Sequence, residues 1–473
     1  MRLGRTIAAA ALVGLAHAAV AQTPAGGRPE PQAGAPETSD KPSQPPPSIA
    51  TSLGPAGDPG GSRSALEKAG ITYSLTYIGE VLGNVSGGMR RGSVYEGRLD
   101  LQVDADLQKL AGWEGATIHA QAFQIHGHGL SRYYLGNLMT ASGIEALPST
   151  RLFELWLEQS FADGKAALKV GQLAADTEFL TSQTSALFVN ATFGWPAITG
   201  ANLPSGGPAY PLATPGARLK LTPTEGFTLL AAVFNGDPAG PGPGDPQRND
   251  RHGLEFRTKD PAFAIAEAQF SYNQGKDAAG LPGTVKVGVW RHLGRFDDQR
   301  FDPFGLSLAD PAGSGLAARL RGNGGAYAVV DQMLYRVPGT ADQGLAAFAR
   351  VSANPSDRNL IDFYADGGFT WKGLIAGRED DTFGVGFGYA RISRDARALD
   401  LDAIAFTGAS MPVRSSEALI EVTYQAQVIP GWTVQPDFQY VFRPGGNVAN
   451  PRDPNGEPIK NAVVFGLRTT IRY

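Results

Sequence analysis

From Val94 to Leu107 the chain alternates between two kinds of side chain. Tyr95, Leu99, Leu101, Val103, Ala105 and Leu107 fall on one side, and Glu96, Arg98, Asp100, Gln102, Asp104 and Asp106 on the other. Period two is the repeat of an extended strand, whose side chains point to opposite faces in turn. The pattern returns near the C-terminus. Trp432, Val434, Pro436, Phe438, Tyr440 and Phe442 alternate with Thr433, Gln435, Asp437 and Gln439. In the last segment Val463, Phe465, Leu467, Thr469, Ile471 and Tyr473 lie opposite Gly466, Arg468, Thr470 and Arg472. These segments run for about 10–13 residues, against about 5–6 in soluble strands. A strand that crosses a bilayer needs about 9–11.

The beginning of the chain places it outside the cytoplasm. Arg2 and Arg5 precede an apolar run from Thr6 to Ala16, and Ala19-Val20-Ala21 forms a small-residue cleavage site before Gln22. Residues 1–21 therefore read as a cleaved secretory signal. Residues 22–52 hold Pro24, Pro29, Pro31, Pro36, Pro42 and Pro45-Pro46-Pro47 with almost no large apolar side chains, and are expected to form a disordered periplasmic linker. No later apolar run approaches the 18 or so residues of a membrane helix. Any membrane residence must then use a closed barrel, the one sheet architecture that leaves no unpaired backbone edge in lipid.

Composition narrows the classes further. Charged residues make up 18% of the chain, and 61 glycines with 34 prolines punctuate the backbone, which argues against a helical enzyme. The net charge of −4 gives no basic stripe for nucleic acid. With no cysteine, disulfide frameworks, thiolate metal sites and cysteine nucleophiles are excluded together.

Seventeen candidate strands are readable between Ile71 and the C-terminus. Single-chain bacterial barrels have an even number, with short periplasmic turns and long external loops. Counting 252–258 would put the long 295–323 connection on the periplasmic side; leaving it out puts every long connection outside and both termini inside. The expected fold is all-β: a transmembrane antiparallel β-barrel of sixteen strands over residues 53–473. The aromatics Trp156, Trp290, Trp371, Trp432, Phe442 and Tyr473 are expected in an interfacial girdle. The longest connection, about 174–214 after strand 5, carries Phe188, Phe193 and Trp195. A connection of that length signals function, and inside a wide barrel it would constrict the pore.

Catalytic signatures are missing. The pair His126 and His128 has no carboxylate cluster beside it, and there is no phosphate loop or serine elbow. Gly384, Gly386 and Gly388 alternate within one strand and read as close packing. Glu154 and Glu158, four residues apart on a strand, are separated by roughly 13 Å, too far for a glycosidase pair. What remains is an inward face of mixed sign: Glu96, Arg98, Asp100, Asp104, Glu154, Glu158, Lys169, Arg218, Lys220, Lys286, Asp331, Glu417, Glu421 and Asp437. Rings of one sign select ions, whereas a mixed wall with aromatics suits neutral, hydroxyl-rich solutes. The expected substrate contacts are Arg98, Glu154, Glu158, Lys169, Trp195 and Arg218. A general or anion-preferring diffusion pore stays open beside that reading.

Four stretches carry a resemblance: Gly79 to Gly88, Gln124 to Gly127, Gly143-Ile144-Glu145 through Leu155-Trp156-Leu157-Glu158, and Trp432 to Tyr440. Over about residues 53–473 the chain resembles the carbohydrate-selective porin (OprB) family. The resemblance implies a sixteen-stranded channel of the bacterial outer membrane through which glucose and similar sugars diffuse, with no catalysis and no cofactor. Its implied partners are small neutral carbohydrates and outer-membrane lipid, with no nucleic acid; assembly into a homo-oligomer is compatible with it.

Overall fold

The computed structural model describes residues 48–274, 278 and 280–473. The expected secretory signal and most of the expected linker lie outside the described residues. Sixteen antiparallel strands form one closed barrel in which each strand pairs with its sequence neighbours and the last closes on the first. They are β1 Ile71–Gly88, β2 Gly92–Asp106, β3 Ala116–Gly127, β4 Ser149–Phe161, β5 Ala166–Leu173, β6 Thr214–Thr224, β7 Phe227–Phe234 and β8 Phe263–Tyr272. The second half comprises β9 Gly283–Asp297, β10 Arg319–Arg336, β11 Gly344–Ala353, β12 Ile361–Lys372, β13 Thr382–Ile392, β14 Ser416–Ile429, β15 Trp432–Phe442 and β16 Lys460–Arg472.

The omitted segment 252–258 is not a strand. It lies over the external ends of β4 and β5, where the Leu152 N–H donates to the His252 carbonyl (2.9 Å) and the Gln172 amide to that of Gly253 (3.0 Å). Its backbone groups are used by side contacts, which explains a strand-like sequence that joins no ladder.

Alternation turns into two surfaces. On the closing seam Val81 pairs with Leu467 and Glu80 with Arg468. Leu467 is 52% exposed on the outer, lipid-facing surface, whereas Arg468 is 2% exposed and donates to Glu80 inside. The first and last strands meet at the periplasmic rim. Leu75 and Tyr473 exchange both backbone hydrogen bonds, and the Tyr473 hydroxyl donates to the Gly57 carbonyl (2.8 Å). Ile49–Ser52, expected as the end of an extended linker, instead form a helical turn beside the β14–β15 turn, with Ser52 Oγ donating to the Pro430 carbonyl (3.0 Å). A second short helix, Ser62–Ala69, leads into β1.

Two girdle assignments are corrected. Trp156 and Trp290 face inward, because they share parity with inward residues: Trp156 lies between Glu154 and Glu158, and Trp290 packs on Phe263 inside the wall. Their ring type pointed to the interface, and their position in the alternation overrode it.

Candidate functional site

The barrel is not an empty pipe. The segment between β5 and β6, residues 174–213, runs along the inner wall and is tied there strand by strand. The Leu180 N–H donates to Glu267 (3.0 Å), Lys286 Nζ to the Thr181 carbonyl (2.8 Å), and Ser182 Oγ to Asp331 (2.6 Å). The N–H groups of Val189 and Asn190 donate to Glu421, and Gln435 donates to the Leu187 carbonyl (2.8 Å). Arg350 on β11 gathers three loop carbonyls, those of Leu180, Gly194 and Thr192, at 2.8–2.9 Å, while Asp366 accepts from its remaining N–H groups. Apart from the Ser182–Asp331 and Arg350–Asp366 contacts, each satisfies a backbone group that would otherwise be buried without a partner.

A second segment, 128–148 between β3 and β4, enters as well, which sequence reasoning missed. Its Leu138 and Met139 N–H groups both donate to Glu417 on β14, and it bonds the other loop through Gly143 N to the Val189 carbonyl and Ala191 N to that of Thr140. Leu130, Leu135, Leu138, Met139, Phe188 and Phe193 then share one apolar cluster with Phe348, Tyr364 and Leu419 of the wall. The readable signal lay in the acids. Asp331, Glu417 and Glu421, expected on the inward face, are acceptors that fasten loop backbone. The inward glycines of β13 make room: a Cβ on Gly384 would meet Leu187 at 2.5 Å, and one on Gly386 would meet Phe193 at 2.7 Å.

Opposite this packed side, β2 to β6 carry a polar array. Asp104 on β2 accepts from His119 on β3 (2.8 Å), and the His119 ring stacks on Trp156 of β4 at 4.7 Å between centroids. Lys169 Nζ of β5 sits 4.1 Å over the same indole. Arg218 of β6 binds Glu158 of β4 (2.6 Å) and reaches Glu178 of the 174–213 loop through Nε (2.6 Å), and Lys169 binds that same Glu178. Burial pushes the Glu178 carboxyl up, but the charges of Lys169 and Arg218 outweigh it and hold the group down at about 2. Deeper in the loop, burial pushes Asp176 up to about 7 against the lowering effect of the Tyr210 N–H it accepts. Loop and wall thus meet through an alternating array of fixed charges: Glu158, Arg218, Glu178, Lys169.

The expected contacts divide accordingly. Glu158, Lys169 and Arg218 are brought together; Lys169 and Arg218 are buried at the edge of the array, and Glu158 keeps about a quarter of its side chain open (26%). Glu154 is buried and accepts from the Ala174 N–H (2.8 Å), anchoring the start of the loop. Arg98 is buried with its guanidinium 4.7 Å over Phe123 and 5.1 Å over Tyr210, beside Asp100. Trp195 lies elsewhere: 2% exposed, its indole N–H donating to the Gly206 carbonyl (3.1 Å), it packs under the loop against Leu230, Phe263 and Trp290. It presents no free ring face, because a long apolar ring in a loop of prolines is worth more as that loop's own core. The aromatic at the polar array is Trp156.

The profile of the carbohydrate-selective porin, OprB family matches residues 90–473. The chain belongs to the OprB family. It is an outer-membrane porin of the sugar-selective class. Porin B of Pseudomonas aeruginosa is 23% identical over 435 residues, covering 87% of this chain and 89% of that protein. A putative porin, QuiX, of Acinetobacter baylyi is 23% identical over 413 residues, covering 82% and 88%. Among solved structures, the high-pH form of Pseudomonas putida OprB superposes with a TM-score of 0.77 at 23% identity, covering 88% of this chain and 97% of that one. That likeness bears on the fold, a closed sixteen-stranded barrel.

Proposed function

We propose that this OprB-family porin passes small neutral sugars, glucose among them, by passive diffusion along the β2–β6 wall, past a constriction made by the 174–213 and 128–148 loops. The observation that carries this reading is the array Glu158–Arg218–Glu178–Lys169 beside Trp156, formed where loop and wall meet. Carboxylates and cations fixed in alternation offer a sugar hydroxyl an acceptor and a donor at once, replacing part of its hydration shell. Because the charges neutralise one another, a small ion of either sign gains little. Binding stays weak, since a solute held tightly does not leave.

In this reading Glu158, Lys169, Arg218 and Trp156 meet the sugar, while Glu154 and Arg98 hold the loop from behind and Trp195 braces it. The channel in this reading carries out no chemistry and uses no cofactor. Liposome swelling tests the proposal: glucose is to enter faster than an amino acid of matched size. Equal rates would leave a general diffusion porin and remove the sugar array.

A further inference from the structure

The outer surface carries a cluster of arginines at one point of the external rim. Along β9 the outward residues are Val287, Val289, Arg291, Leu293 and Arg295, all exposed. The first two belong to the apolar band, and β9 runs outward, so the arginines stand where that band gives way to the headgroups of the external leaflet. On β10 the outward series is Val330, Ala328, Ala326 and Gly324. Continued by strict alternation it would turn Arg321 inward. A bulge between Arg321 and Asn323 prevents this. There β9 takes three steps to the two of β10, so the extra residue is on β9. On β10 Gly322, with φ of +73°, breaks the alternation, and Arg321 and Arg319 return to the outer face opposite the exposed Arg295 and Asp297. Bulges at barrel rims re-aim side chains in this way.

The consequence is a pair of arginines directly opposite one another, Arg321 against Arg295, in the register that also sets Arg319 against Asp297. Arg319 is neutralised by Asp297 (2.7 Å). Arg291, Arg295 and Arg321 form no ion pair among the described residues. The nearby Arg358 is already bound to Asp357 and donates to the carbonyls of Arg321 and Gly322, so it adds no free charge. Arg291 lies across the glycines of β10: a Cβ on Gly322 would meet its guanidinium at 2.5 Å. Elsewhere on the same rim, Arg391 is paired with Asp362.

Like charges facing each other across strands destabilise a sheet, and an unpaired guanidinium beside lipid is costly unless an anion meets it. Guanidinium groups bind phosphate bidentately, and Leu293 between Arg291 and Arg295 supplies an apolar seat for an acyl chain. We propose that Arg291, Arg295 and Arg321 form a binding site for the phosphate groups of a phosphorylated glycolipid in the external leaflet. The site rests on the chain's residence in the outer membrane and is independent of which solute the pore passes.

Native mass spectrometry of the full folded protein, exchanged from detergent into diphosphoryl lipid A or its phosphate-free derivative, tests the site. The wild-type protein is to retain the diphosphoryl form preferentially. The variant R291Q/R295Q/R321Q is to lose on the order of tenfold in retention, while R291K/R295K/R321K keeps most of it. Equal retention of both lipids by the wild type, or unchanged retention by the glutamine variant, would overturn the proposal. Heat-modifiable gel mobility reports folding. Should the triple variant fail to fold, R321Q alone is to reduce retention, and no reduction there overturns the proposal equally. Sugar uptake by the same proteins is a separate readout, expected to be unchanged.

Discussion

Glu178 is where the account can be pressed hardest, because one carboxylate joins loop to wall. It binds Lys169 and Arg218 together, and its carboxyl is held at about 2 against the ordinary 4.5. That difference corresponds to about 3 kcal/mol favouring the folded, ionised form. A depressed carboxyl contributes stability that is fully present above about pH 4.5 and disappears as pH falls through about 2. Glu178→Gln is therefore expected to lose about 3 kcal/mol at pH 7, the low end of what removing one partner of a buried pair costs, and progressively less below pH 4.5. Urea unfolding of the barrel in detergent, followed by gel mobility at pH 7 and down to pH 2.5, measures this directly. The variant also leaves Lys169 and Arg218 with one carboxylate, Glu158, between them, so reversal potentials are to shift toward anions. A variant as stable as the wild type at pH 7, with unchanged ion selectivity, would refute the claim that this array joins loop to wall.

Three further outcomes follow from the packing. Leu467→Arg places a charge on the lipid face opposite Val81 and is to cost about 2–4 kcal/mol in a refolding titration. Gly386→Ala forces the rings of Phe188 and Phe193 away from β13; about 1–3 kcal/mol of stability is to be lost and single-channel conductance is to fall as the loop is pushed into the lumen. Arg350→Gln strands Asp366 in the wall and releases three loop carbonyls, so the barrel is to lose about 3–5 kcal/mol and open-channel current noise is to increase.

The barrel was legible because its signal is local. Strict alternation in β2 and β16 sorts Leu101 and Leu467 to lipid and Asp100 and Arg468 to the interior, and the parity of strand number settled 252–258. What fills the barrel was not legible in the same way. Glu417 and Glu421 look like any inward carboxylate; only the fold shows that loop N–H groups from residues 138, 139, 189 and 190 converge on them. Trp195 and Trp156 were exchanged for a related reason. Ring type alone cannot separate an aromatic that braces a loop from one that stands in the wall, whereas the position of Trp156 between Glu154 and Glu158 already fixed its face. The bulge at Gly322 was equally hidden, since one residue in the left-handed region reverses the sorting of everything beyond it.

Selective passage of sugar is read from block of ion current in a planar bilayer. With the wild-type protein, glucose added in steps is to reduce single-channel conductance in a saturable manner, while a neutral amino acid of matched size leaves it nearly unchanged. E158Q and R218Q are each to weaken that block without closing the channel. Equal block by sugar and amino acid, or a sugar block untouched in both variants, would contradict the account.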